Sequence, residues 1–564
     1  MFDLVTQALA AVWGVWTAVV FVVQGIGIFQ LFRHYSSPPR RAAVEALADH
    51  AAVPHVTVIR PTKGLEPGLY ECLASTCRQT YPRDRLSVHL CVESRTDPAF
   101  SVFERIVRDF PDADVRVFVE EEDPLLHGAA GHVRNLGPNP KIRNISRAYR
   151  EAPADGVVWI VDCNVWVAPG VAGRMVDRLL GLGPDGTPQH TPYKFVHQLP
   201  LVVDIGSSGP QSAGKGIGAA LDEMFMATSH AKFYSAINTV GIAPCIVGKS
   251  NMFRKAHLDA LTDPAQNPTV LRAADGRRGR GVDFFSSYIC EDHLIGDLLW
   301  RSPLATPAGV PFRNHALATG DLAIQPMADV PVRAYAARRV RWLRVRKWTV
   351  LLATLVEPGV ESLLCAFYGS FALTTWGQRL LGPAAPALAA WLPPPTWAAM
   401  ARCWCVLVAL WMAADWCTYR RLQACRCVAW DADTPAFAKG RRRPGSGDLP
   451  RRPFFAWARA WLGRELLALP IWTYAVLLGA TVAWRGKQFH VRMDMSVDEL
   501  DDQGRRVVRE PRTQGVAALQ ASTNKAAAPA DVASTNGNGV GNGNSNSRSN
   551  AKANGKANAK ARVD

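Results

Sequence analysis

Apolar positions along the chain change their spacing three times, and each change marks a boundary. Residues 7–32, QALAAVWGVWTAVVFVVQGIGIFQLF, carry no charge. At about 1.5 Å per residue they outreach a hydrocarbon core of about 30 Å, which predicts a transmembrane anchor over 1–35. The leader MFDLVT has no basic residue, whereas Arg33, Arg40 and Arg41 follow the stretch, so it reads as a span and not as a cleaved signal peptide. From Val53 to Trp348 short β-branched runs alternate with helical periodicity: strands over 56–60, 86–93, 115–119 and 157–162, helices over 68–79, 98–109 and 140–150. That alternation predicts an α/β domain over 53–348 built on a mostly parallel sheet covered on both faces. After Trp348 apolar runs return at 349–381, 385–416 and 467–484, the last read equally as a crossing or a re-entrant segment, and together they mark a C-terminal membrane region over 349–495. Stretches such as GPDGTPQHTP, SSGPQSAGKG and ADGRRGRG read as surface insertions, and 512–564, rich in Ala, Asn, Gly, Ser and Lys, reads as a disordered tail.

Composition places this pattern among membrane proteins. The 564 residues are 48% hydrophobic and hold 64 Lys+Arg against 48 Asp+Glu, a net charge of +16, which excludes a small disulfide scaffold and a wholly disordered chain. The positive charge sits beside Trp-rich apolar runs, so it points to a lipid bilayer and not to nucleic acid. Basic residues follow the first span, precede the next and fill the loop 418–466, and the positive-inside rule therefore puts 53–348 and that loop in the cytosol. The twelve cysteines include no C-x-x-C pair and no spacing suited to zinc, and they read as reduced thiols.

Three clusters can carry chemistry. Asp162 follows the apolar run WIV, and a carboxylate at the end of a parallel strand can hold a divalent cation; a helix cap or turn residue is the plain alternative. Glu291-Asp292 follows FFSSYIC, where a carboxylate can accept a proton from a hydroxyl within about 3 Å, or can simply be an acidic turn. Residues 332–347, VRAYAARRVRWLRVRK, hold seven cations: a collar snorkelling at the membrane surface, or an R-x-x-R-W element of Arg338, Arg341 and Trp342 whose guanidinium groups bind a diphosphate.

The chain resembles the ceramide glucosyltransferase (glucosylceramide synthase) family, in its fungal form, through RPTKGLEPGL (60–69), CVESRTDPAF (91–100), NPKIRN (139–144), WIVDCNVWV (159–167), FVHQLP (195–200), ATSHAKFY (227–234), CIVGKSNMFRK (245–255), CEDH (290–293) and RRVRW (338–342). The resemblance implies a GT-A-like α/β nucleotide-sugar domain between an N-terminal transmembrane helix and C-terminal membrane-embedded helices. It implies that Asp97 lies near the nucleotide, that Asp162 holds a Mg²⁺ or Mn²⁺ ion against the diphosphate, and that Asp292 is the catalytic base. Arg338, Arg341 and Trp342 complete the terminal motif, and His197 and Cys245 are the family's active-site His and Cys. The second motif departs from the family pattern, reading Asp-Cys-Asn in place of Asp-x-Asp.

The implied reaction is inverting transfer of glucose from UDP-glucose to the primary hydroxyl of ceramide, by a multi-pass protein of the Golgi or endoplasmic reticulum whose catalytic domain is cytosolic. A processive β-glycan synthase of the chitin or hyaluronan type is the enzymatic alternative, and a non-catalytic lipid-binding scaffold is the alternative of another class. Asn144-Ile145-Ser146, an acceptor sequence for N-glycosylation, falls inside the domain and is expected to carry no glycan.

Overall fold

The structure is a computed structural model that describes residues 2–47, 53–127, 136–206, 216–266, 279–381, 392–441 and 449–507. Most of SSGPQSAGKG and ADGRRGRG, the GPAAP at 382–386 and the tail over 512–564 lie outside the described residues.

A single long helix, α1 (Phe2–His34), forms the expected anchor. The domain that follows is a seven-stranded sheet of β1 (Val56–Pro61), β2 (Leu86–Val92), β3 (Asp114–Val119), β4 (Val157–Val161), β5 (Tyr193–Asp204), β6 (Ser250–Arg254) and β7 (Arg313–Met327), in the order β3-β2-β1-β4-β6-β5-β7. β1, β2, β3 and β4 run parallel, as do β5 and β7, while β6 is antiparallel to both its neighbours. Every residue of β1, β2 and β4 is buried, the signature of strands covered on both faces. β3 lies at an edge, and there Asp114 and Arg116 face water as an ion pair that blunts it.

Helices α2 (Leu69–Cys77), α3 (Phe100–Asp109), α4 (Pro140–Arg150), α5 (Val171–Leu180), α6 (Ile217–Phe225) and α7 (Ala231–Val240) follow along the domain. α4 starts where Asn139 caps it by accepting from the N–H groups of Lys141 and Ile142, with Pro140 in the first turn. Asn144 lies inside α4 with its amide donating to Thr62 O and Cys91 O, so the acceptor sequence is buried.

α8 (Glu291–Arg301) and α9 (Val332–Arg346) complete the sheet domain. Beyond them come α10 (Ser362–Leu381), α11 (Trp397–Gln423) and α12 (Phe454–Leu477). Among the described residues α1 and α11 are long and apolar enough to cross a membrane, and Leu351–Val360 with Ser362–Gly377 forms a pair bent by 75° that counts as a third span if taken as one.

The run 467–484 is not one element. α12 stops at Leu477, and the chain turns into β8 (Thr481–Trp484), β9 (Lys487–Val491) and β10 (Val497–Leu500), a small antiparallel sheet. A crossing over 467–484 is thereby excluded, because its last four residues pair as a strand. Hydropathy misses this because a short half-buried strand and the end of a helix are equally apolar over four residues.

The main core also ignores the expected boundaries. Leu31 and Tyr35 at the end of the anchor, Val58 and Trp159 of the sheet, and Tyr419, Phe437 and Trp457 from beyond Trp348 all belong to one buried cluster. The cysteines are all free thiols, as expected.

Candidate active site

The carboxyl ends of β1, β2 and β4 open onto one edge, and the loops there hold the acidic residues. Asp97, in the loop after β2, receives N–H bonds from Gly64 at 2.9 and 3.1 Å and from Ala99 at 2.9 Å. It therefore stitches the β1–α2 loop to the β2–α3 loop and shapes that edge. Beside it Lys63 donates to Glu93 at 2.6 Å.

Asp162 stands directly after β4, as expected, and two ammonium groups occupy its carboxylate: Lys141 at 3.1 Å and Lys249 at 2.9 Å. Lys249 also reaches Asn164 Oδ1 at 3.4 Å. Burial works against ionisation of Asp162, but Lys141 and Lys249 outweigh it and hold the carboxyl well below the usual range. Lys141 pairs in turn with Glu291 at 3.0 Å, so a single buried ammonium joins the strand end to the first turn of α8. Burial alone would lower its pKa, yet Asp162, Glu291 and Asp292 raise it.

Glu291-Asp292 is not an exposed turn. The pair opens α8, with Glu291 buried and accepting from Asn139 Nδ2 at 3.0 Å. Burial raises the pKa of Asp292; Lys141 pulls it down and Asp162 pushes it up, leaving the carboxyl above the ordinary aspartate value. A β-carbon on Gly248 would come within 2.9 Å of Asp292 Oδ2, so a glycine is what allows the Cys245–Lys249 loop to pass over Asp292.

α9 delivers the R-x-x-R-W element. Arg338 donates to Gln325 Oε1 at 3.1 Å, lies 3.5 Å from the buried Asp222 and stacks over Trp342 at 4.8 Å. Trp342 packs on Phe225 and so acts here as a platform for the arginine. Arg341 has neither an ion pair nor a hydrogen bond among the described residues. Burial, then its neighbours Arg338 and Arg485, bring its pKa down to about 10 despite Asp162 and Asp222. Arg341 is thus a half-buried guanidinium held beside other cations.

His197 and Cys245 sit one layer away. His197, fully enclosed on β5, hydrogen-bonds the Tyr234 hydroxyl through Nδ1, and burial followed by His315 keeps it neutral. Cys245 accepts at its carbonyl from Asn238, whose own side chain meets His315, and burial pushes its thiol up to about 11. The structure thus gathers Asp162, Asp292, Arg338 and Arg341 around Lys141 and Lys249, with Asp97, His197 and Cys245 in the surrounding loops and strand.

Lys141 and Lys249 carry no role in the sequence reading, although both lie in the stretches NPKIRN and CIVGKSNMFRK that drew the resemblance. Among the described residues there is no group of three or more His, Cys, Asp or Glu side chains placed to hold a metal.

The family described as Glycosyl transferase family 21 matches residues 17–262 and 269–497. A ceramide glucosyltransferase of Pyricularia oryzae is 57% identical over 504 residues, covering 89% of this chain and 97% of its own length. A ceramide glucosyltransferase of Gibberella zeae is 45% identical over 524 residues, covering 88% and 94%. Among solved structures, a mannosyltransferase from Pyrobaculum calidifontis in complex with GDP-Man and Mn²⁺ aligns with 72% of this chain and 97% of its own at 17% identity and a TM-score of 0.32.

Proposed function

Because the chain belongs to glycosyl transferase family 21, we propose that it transfers glucose from UDP-glucose to the primary hydroxyl of ceramide with inversion, giving β-glucosylceramide. The observation that carries the mechanism is the Lys141 bridge, 3.1 Å to Asp162 and 3.0 Å to Glu291, which sets the diphosphate end and the base end of the site side by side. One base beside one cluster of cations suits direct displacement. Asp292 accepts the hydroxyl proton as the oxygen attacks the anomeric carbon, and the charge growing on the departing UDP meets Lys141, Lys249, Arg338 and Arg341. These cations are already in place before reaction, which is how electrostatic stabilisation avoids a reorganisation cost.

For the metal, Asp162 and Asn164 offer one ionised carboxylate and one amide oxygen, two of the roughly six oxygens that Mg²⁺ takes. Lys249 already spans both of them, so an ion arriving on the donor's diphosphate would have to displace that ammonium to be held here, where it would neutralise charge on the leaving group. Asp97 orders the loops beside the nucleotide, and His197 and Cys245 line the acceptor side through Tyr234. A lipid acceptor agrees with Val240, the last residue of α7, and Ile242 in the loop leading to Cys245, which are 50% and 76% exposed. The domain works on the cytosolic face of the Golgi or endoplasmic reticulum: the basic loop after α11 packs on the sheet domain through Arg441 and Arg452, so both lie on one side.

The test is to incubate membranes holding the full chain with labelled UDP-glucose, UDP-galactose or UDP-N-acetylglucosamine and ceramide, and to identify the product lipid. A ceramide monoglucoside formed only from UDP-glucose is expected. A long polymer, or no product above untransformed membranes, would overturn the reading.

A further inference from the structure

The small sheet β8–β10 has no part in the mechanism above, yet it is built into the active-site wall. Its apolar face, Val482, Phe489, Val491 and Val497, packs on Ile289 and Cys290, the two residues that lead into Glu291-Asp292, and on Val345 of α9. Val497 donates to Ser287 O at 2.8 Å, and Arg344 of α9 donates to Tyr474 O at 3.0 Å and to Thr481 O. The sheet is therefore anchored both to the segment carrying the base and to the helix carrying Arg341.

The turn at its tip is tight and pre-set. Trp484 pairs with Lys487, leaving a two-residue loop, and Arg485 and Gly486 have φ of 50° and 79°, the left-handed pair of a type I′ hairpin. Holding a non-glycine residue in that region costs free energy, and Arg485 spends it while making no ion pair among the described residues; its guanidinium only stacks on Trp484 at 5.4 Å. Lys487, next along, is already paired with Glu499 at 3.1 Å.

The charge of Arg485 acts on Arg341 of α9 and on two groups at strand ends, Cys163 after β4 and Glu93 after β2. Those three bracket the place where the donor's diphosphate must lie.

Resting on the UDP-sugar reading, we propose that the Arg485-Gly486 turn closes the donor site from the C-terminal side and that Arg485 binds the diphosphate of UDP. Its geometry explains why a chain whose sheet domain ends near Trp348 carries an ordered hairpin more than a hundred residues later: the membrane helices bring the chain back, and the hairpin completes the anion site.

The test measures direct binding of UDP and of uridine to the purified full chain in detergent, which does not depend on what accepts the sugar. Arg485→Gln should weaken UDP by about tenfold, the worth of one charge-assisted bond, and leave uridine unchanged. Arg485→Gly suits the left-handed backbone and should lose as much, while Arg485→Lys should stay within about threefold of wild type. UDP affinity within twofold of wild type in Arg485→Gln or Arg485→Gly, or an equal loss for uridine, would overturn the proposal. Failure of the ceramide reading is distinguishable, since wild-type chain would then bind UDP and transfer no glucose to ceramide.

Discussion

Two charged clusters built from the same residue types stand in this molecule, and they do opposite things. In the first, Glu223 is fully buried and accepts from Arg441 at 2.6 Å and from Arg452 at 2.8 Å, while Arg452 also reaches Asp204 at 2.8 Å. Two carboxylates meet two guanidinium groups, and nothing is left over. In the second, Lys141 and Lys249 share the carboxylate of Asp162, Lys141 reaching Glu291 as well, and Arg341 and Arg485 stand nearby with no ion pair among the described residues. A closed cluster serves as a clamp, here holding the basic loop onto β5 and α6. An open one keeps charge that no internal acid neutralises, which on the proposed reading is available to a diphosphate.

Breaking the clamp gives the largest effect on the fold. Glu223→Ala leaves Arg441 without its carboxylate and Arg452 with Asp204 alone, and removing one member of a buried ion-pair cluster costs about 3–5 kcal/mol. Thermal unfolding in detergent should move to clearly lower temperature, while turnover per folded molecule stays near wild type. Loss of turnover without loss of stability would mean that the clamp belongs to the catalytic machinery.

Breaking the open cluster at the base affects rate and not fold. Asp292→Asn keeps size and removes proton acceptance, so kcat should fall by at least the ~10²-fold typical of a general base, with KM for UDP-glucose little changed. A change within a few fold would move the base to Glu291.

The pH profile sharpens the contrast between the two clusters. Asp292 must be ionised to act, and its pKa lies above the ordinary aspartate value, so activity should be lost as pH falls through that raised pKa. Lys141 is the largest influence holding that value down. Lys141→Met should therefore shift the acid limb of kcat to higher pH. An unmoved limb would show that Lys141 only packs.

Smallest is the response to chelator. If Lys141, Lys249, Arg338 and Arg341 face the diphosphate as proposed, excess chelator should reduce activity several-fold without abolishing it, and Asp162→Ala should weaken UDP binding as well as turnover. Full activity in chelator would assign the whole charge to lysine and arginine.

The amino-acid sequence by itself determined the regular parts. The uncharged run at 7–32 and the β-branched runs ending at Pro61, Val92, Val119 and Val161 specify their elements through local periodicity, and the helices starting near Leu69, Phe100 and Pro140 appear where the spacing puts them. Asp162 and Asp292 were legible because a polar residue ending an apolar run marks a strand end or a helix start, and the resemblance gave each a chemistry.

Only the tertiary structure decided which charges meet. Lys141 lies 21 residues from Asp162 and 150 from Glu291 along the chain, yet it touches both, and no local pattern encodes that contact. The same holds for Glu223 with Arg441, for the strand that replaced part of the third apolar run, and for the packing of the β8–β10 hairpin against Ile289, Cys290 and α9. Secondary structure follows from neighbours in sequence, whereas the balance of charge at a site follows from which distant segments the sheet and the membrane helices bring back to one edge.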